Sequence, residues 1–165
     1  MSFPNRGNPG PKDRYDGPAR NDSGPSLPTP KRVSYFQDGD EKTKLIPELV
    51  DGEAERLAKL FAEQANPLKT TQMRRFYDDL KAIERKILQG GSPLEQKENF
   101  ARNLALIKMF KAKAVYAEKR KVAPREFTQF IFDHVFSIAD VKDFRAFLKV
   151  FESVVAFHRF FAKEN

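Results

Sequence analysis

Residues 70 to 91 read Thr70-Thr-Gln-Met-Arg-Arg-Phe-Tyr-Asp-Asp-Leu-Lys-Ala-Ile-Glu-Arg-Lys-Ile-Leu-Gln-Gly-Gly91, and Met73, Phe76, Leu80, Ile83 and Ile87 fall at alternating spacings of three and four. That period puts five apolar side chains on one helical stripe facing a core. Thr70 or Thr71 is placed to cap the free amides of the first turn, and Gly90-Gly91 to end the helix. Ser92-Pro93-Leu94-Glu95 then supplies a capping box with proline at the first helical position. A long third helix is expected from there through Phe100, Leu104, Ile107 and Tyr116 to about Lys121.

The same period extends outward in both directions. A first helix is expected from about Pro47 or Asp51 to Ala65, with Leu57, Leu60 and Phe61 on one stripe, an acidic surface, and Asn66-Pro67 closing it. Ala123-Pro124 opens a fourth, carrying Phe127, Phe130, Ile131 and Val135. Asp140 caps a fifth, which presents Phe144, Phe147, Leu148, Phe151, Val154, Val155 and Phe161. No sustained period-two alternation calls for a strand. The expected fold is all-α, a compact bundle of about five helices over residues 45 to 165.

Residues 1 to 44 differ in kind, holding seven of the eleven prolines and five of the eight glycines with few aliphatics. Such a segment buries too little apolar surface to offset the entropy of ordering, so it is expected to be a disordered arm. The absence of cysteine removes disulfides, thiolate metal sites and thiol catalysis, and two histidines leave little from which to build a metal site. No apolar run approaches the roughly 20 residues of a membrane span, and the first residues hold no apolar secretory core. A cytoplasmic protein without membrane association, metal or cofactor is the expectation.

Charge is distributed unevenly: +2 over residues 1 to 44, −3 over 45 to 66, +8 over 67 to 121 and 0 over 122 to 165. An excess confined to the middle third is the electrostatic footprint of a polyanion binder. Within it, Arg102, Lys108, Lys111, Lys113, Lys119, Arg120 and Lys121 are opposed over residues 101 to 121 by Glu118 alone. Lys69-Thr70-Thr71-Gln72 leading into Arg74-Arg75 places hydroxyls, free amides and cations at a helix N-terminus, an end suited to a phosphate. The arginines could instead pair with Asp78 and Asp79 at helical spacing.

Tyr77 and Tyr116 lie beside basic residues and could stack on a base, although core packing with a hydrogen-bonded hydroxyl is the favoured role for both. His134 and His158 fall in phenylalanine-rich helices and are expected to be buried and hydrogen-bonded. Asp78-Asp79 cannot both point into one cleft, and no Gly-rich phosphate loop, Ser-His-Asp arrangement or redox motif occurs. No catalytic residue is assigned.

Two segments carry a family resemblance. Leu68-Lys-Thr-Thr-Gln-Met-Arg-Arg-Phe-Tyr77 resembles the Thr-Thr/Ser-Gln-basic-Phe-Tyr segment of the small subunit of Csm complexes, the type III-A CRISPR effectors. Met109-Phe-Lys-Ala-Lys-Ala-Val-Tyr-Ala-Glu-Lys-Arg120 is similar to that family's Lys-x-Lys-x-x-Tyr-x-x-x-Arg helix, and Phe144, Phe147, Phe151-Glu152 and Phe157-His158 to its C-terminal helix. The likeness covers about residues 45 to 165.

The resemblance implies a non-catalytic subunit of an RNA-guided ribonucleoprotein serving antiviral defence. Copies would stack into a filament beside the backbone and large subunits, holding target RNA along the guide without reading its sequence. Carried over by position, Lys69, Arg74 and Arg75 on the first motif and Lys111, Lys113 and Arg120 on the second would contact RNA, with Tyr116 supporting that surface. Lys108 and Lys119 join them on charge alone. The alternatives are the small subunit of a related, Cmr-type effector and a protein-binding adaptor whose basic charge serves an acidic partner; an enzyme lacks a constellation to support it.

Overall fold

The computed structural model describes Ser2 and residues 24 to 163. Six helical segments follow one another: α1 (Gly52–Glu63), α2 (Thr70–Leu88), α3 (Pro93–Lys108), α4 (Phe110–Lys119), α5 (Arg125–Ser137) and α6 (Val141–Phe161). Among the described residues there is no strand, only an isolated antiparallel bridge between Phe36 and Leu45. The expected all-α bundle is therefore present, with its long third helix interrupted at one residue. Met109 keeps right-handed helical dihedrals (φ −64°, ψ −18°) between α3 and α4.

Local chemistry accounts for most boundaries. The Ser92 hydroxyl accepts from the Glu95 amide while the Ser92 amide donates to the Glu95 carboxylate, closing the capping box at the start of α3. Asp140 accepts from the Asp143 amide at the start of α6. Gly90 has φ +103°, and a Cβ there would lie 2.6 Å from the Glu95 carboxylate, so this turn needs glycine. The threonine caps do not form: Lys69 occupies the N-cap of α2, no side chain caps it, and Thr70 is already helical. Of the two expected starts of the first helix the second holds: Asp51 is the N-cap of α1, and Pro47–Val50 closes into a separate 3₁₀ turn before it.

The phenylalanines build the core. Phe61, Phe110, Phe127, Phe144, Phe147 and Phe151, from α1, α4, α5 and α6, are each fully buried, and burial of one such ring contributes about 1.5–3 kcal/mol. Phe127 meets Phe61 and Phe76 edge-on, with centroids 5.5 and 5.0 Å apart, which ties α5 to α1 and α2. The apolar face of α6 packs on α1 and α2.

The stretch expected to be an arm has two parts. Residues 3 to 23 lie outside the described residues. Residues 24 to 35 run beside α5 as an extended strap whose backbone is held by α5 side chains, and residues 36 to 44 turn back through a 3₁₀ turn at Gly39–Glu41 beside the start of α6. Arg125 donates to the Ser26 carbonyl (2.8 Å) and Gln129 to that of Thr29 (2.9 Å). The Lys31 amide donates to Asp133 and the Val33 amide to the Ser137 hydroxyl, both at 2.7 Å. Tyr35 is the strap's buried aromatic, its hydroxyl 2.7 Å from His134 Nδ1. Lys42 anchors the far end on Asp140 and Asp143 at 2.6 and 3.0 Å. Side-chain hydrogen bonds supply here the partners that a strand ladder would otherwise give.

Candidate nucleic-acid interface

Antiparallel packing of α2 on α3, which leads straight into α4, brings the two basic segments together. At one end Asn99 donates to the carbonyls of Ile87 and Gln89, and at the other the Lys69 amide bonds to the Val122 carbonyl. Between these ends Lys113 reaches Asp79 across the helices at 3.2 Å. The buried side of α4 is Phe110, Ala114 and Ala117. With 100° per residue, Lys113 lies toward α2 and Lys111 and Glu118 toward α5. Met109, Ala112, Tyr116, Lys119 and Arg120 then occupy the outward face, and all five are exposed.

Each predicted cation has a definite place on this surface. Lys119 and Arg120 stand on the α4 ridge, with the Arg120 guanidinium 5.5 Å above the Tyr116 ring. Lys111 is half-buried on the α5 flank, its ammonium 5.5 Å over Phe132. Lys108 extends toward the C-terminal end of α5, 3.5 Å from the Val135 carbonyl, where a cation complements the negative end of the helix. Arg75 shares the α4-facing side of α2 with Asp79, one turn away, whereas Arg74 sits about 100° further round. Lys69 is exposed at the start of α2, beside the end of α4.

Two expectations change. Lys113, expected to lack an acidic neighbour, finds Asp79 on the adjacent helix, one of the two acids that the alternative reading offered to the arginines. Tyr116 is 65% exposed rather than packed in the core, because α4 buries the side that carries Phe110, Ala114 and Ala117 and Tyr116 lies away from it. Tyr77 is half-buried, stacked parallel on Phe151 with centroids 6.2 Å apart. Of the eight predicted cations only Lys113 forms an ion pair among the described residues, so the surface keeps its positive charge available.

The histidines serve the core. His134 is buried against Phe130 and Phe147, and burial pushes its pKa down to about 3. His158 Nε2 lies 3.0 Å from the Leu68 carbonyl, fixing α6 to the segment that leads into α2. Among the described residues no cluster of His, Asp and Glu is arranged to hold a metal ion. No described helix is long and apolar enough to cross a membrane.

Sequence reasoning missed other cations. Lys142, Arg145 and Lys149 line a shallow groove on α6 beside Phe36 and Leu45. Their spacing of three and four is visible in the sequence, but acids elsewhere bring the charge of residues 122 to 165 to zero. Arg32 was missed as well, because its segment has the composition of an arm.

The family model described as Csm2 Type III-A matches residues 44–164, a span that holds every predicted cation and all six helices. No curated protein and no solved structure matches the chain. With both basic segments inside a match that covers most of its length, the chain belongs to the Csm2 Type III-A family, the small subunits of type III-A CRISPR (Csm) effectors.

Proposed function

We propose that this small subunit holds target RNA along the guide of the effector by contacts between the outward face of α4, with its flanks on α2 and α5, and the RNA backbone. The observation that carries this reading is the packing of α2 on α3, which leads straight into α4, with Lys113 and Phe110 of α4 reaching Asp79 and Phe76 of α2. It merges two basic segments, some 35 residues apart in sequence, into one surface whose cations are largely unpaired among the described residues. Guide pairing supplies sequence specificity, so the subunit needs contacts that position a strand without reading it. Lys69, Arg74, Arg75, Lys108, Lys111, Lys113, Lys119 and Arg120 are the residues assigned to that role.

Several copies stack into a filament beside the backbone and large subunits, in a cytoplasmic antiviral ribonucleoprotein. The small subunit itself performs no chemistry. A head-to-tail contact generates such a stack, and its two faces need not resemble each other. The acidic segment from residue 45 to 66 suits the basic surface of a neighbouring copy.

The test is reconstitution of the effector with Lys111→Glu and Arg120→Glu together. Target-RNA retention falls while subunit stoichiometry and helicity stay as in the parent. About four phosphate contacts per subunit give a log–log salt slope near −3, which the double variant makes shallower. Unchanged retention and slope would remove these residues from the interface. Loss of assembly with RNA binding intact would favour the adaptor role.

A further inference from the structure

Phe136, on the last turn of α5, remains 46% exposed although the phenylalanines at 127, 130, 132, 144, 147 and 151 are buried. The strap lays Arg32 against it, the guanidinium carbon 5.1 Å from the ring centroid. Along the same face of α5, on the flank away from the strap, Lys111 covers Phe132, one turn before Phe136, and Lys108 reaches the Val135 carbonyl. The ring therefore stands between a cation from the strap and two cations from α3 and α4. Its backbone setting is well supported, because Lys31 and Val33, on either side of Arg32, are bonded to Asp133 and Ser137 of the same helix.

We propose that Phe136 with Arg32 is a stacking platform for an unpaired base of single-stranded RNA, with Lys108 and Lys111 holding the adjoining phosphates. The inference rests on the assignment of the α4 surface to RNA and extends that surface across α5 to the strap. A partly exposed aromatic ring between cations combines the two elements of sequence-tolerant single-strand binding, a π-face and positive charge along the backbone path. The guanidinium plane of Arg32 offers a second stacking surface. The same pairing recurs on α4, where Arg120 lies over exposed Tyr116. A simple anchor for the strap would not require the ring to stay open to solvent, since Tyr35 and Lys42 already fix that segment.

The chain contains no tryptophan, so Phe136→Trp introduces a single fluorescent reporter at the platform. The full-length variant is titrated with unlabelled, unstructured single-stranded RNA, while binding is followed separately by anisotropy of a labelled strand. Phe160→Trp, at an 82% exposed position near the end of α6, serves as the control. Stacking predicts quenching of the platform reporter's indole emission, with little change in the control. Phe136→Leu, which keeps the apolar contact and loses the π-face, should weaken binding about fivefold or more at an unchanged salt slope.

Undiminished emission from the reporter while anisotropy shows bound RNA would overturn the platform and leave the basic surface standing. So would parental affinity in Phe136→Leu. Failure of the unsubstituted protein to bind RNA at low salt would sink the RNA assignment of the surface itself, and the platform with it.

Discussion

Replacing His134 with glutamine should remove most of the dependence of folding stability on pH between 7 and 5. Burial pushes the imidazole from an ordinary pKa of 6.5 to about 3, with Phe130 and Phe147 packed against it and Tyr35 bonded to Nδ1. Burial, and secondarily Asp143, hold the Tyr35 hydroxyl well above its usual pKa, so it stays protonated and is able to donate to a neutral imidazole. The folded state thus binds a proton less readily than the unfolded state. The stabilisation is complete above pH 6.5 and is lost as pH falls toward 3. Between pH 7 and pH 5 the loss from this one group is about 2 kcal/mol, following from the two pKa values.

Urea unfolding of the full chain, followed by far-ultraviolet circular dichroism at pH 7, 6 and 5, measures it. The glutamine carbonyl in His134→Gln can still accept from Tyr35, so the variant is compared with the parent by the change across pH rather than by absolute stability. His158, also lowered by burial and partly restored by its bond to the Leu68 carbonyl, leaves a residual slope of the same sign. Carboxylates titrate mainly below this window. A glutamine variant whose stability falls with pH as steeply as the parent's would refute the buried, neutral imidazole and the strap anchored on it.

Other outcomes follow from the same geometry. Ser92→Ala breaks the capping box and should cost about 0.5–2 kcal/mol in urea unfolding, with the RNA salt slope unchanged. Asp79→Asn releases Lys113 from its partner and should tighten RNA binding in low salt, an effect that fades as salt is raised. Lys42→Ala leaves Asp143 buried with one hydrogen bond fewer and should increase protease cleavage within residues 24 to 44, measured by mass spectrometry of limited digests.

The helices were legible because their signals are local. Every residue of the stripe Met73, Phe76, Leu80, Ile83 and Ile87 is buried, and the Ser92–Glu95 capping box forms as its spacing requires. The two basic motifs were legible as motifs, but their meeting was not. That depends on an antiparallel register set by contacts such as Asn99 with Gln89 and Lys69 with Val122. The same register pairs Lys113 with Asp79, acid and base 34 residues apart.

The strap escaped notice for a different physical reason. Its order comes chiefly from polar side chains on another element rather than from an apolar period of its own. Arg125, Gln129, Asp133 and Ser137 recur every four residues along α5, a polar stripe within a phenylalanine-rich helix. That stripe was the available signal, and each of its members bonds the strap backbone. Composition of the strap alone, rich in proline and poor in aliphatics, pointed the other way.

The most direct measurement places a photoreactive amino acid at Ala112, on the outward face of α4 between Lys108 and Tyr116, within the reconstituted type III-A effector carrying target RNA. Irradiation should crosslink the small subunit to target RNA, and the same group placed at Arg145 on α6 should give far less. Crosslinks from Ala112 to protein subunits alone would contradict the assignment of this surface to RNA.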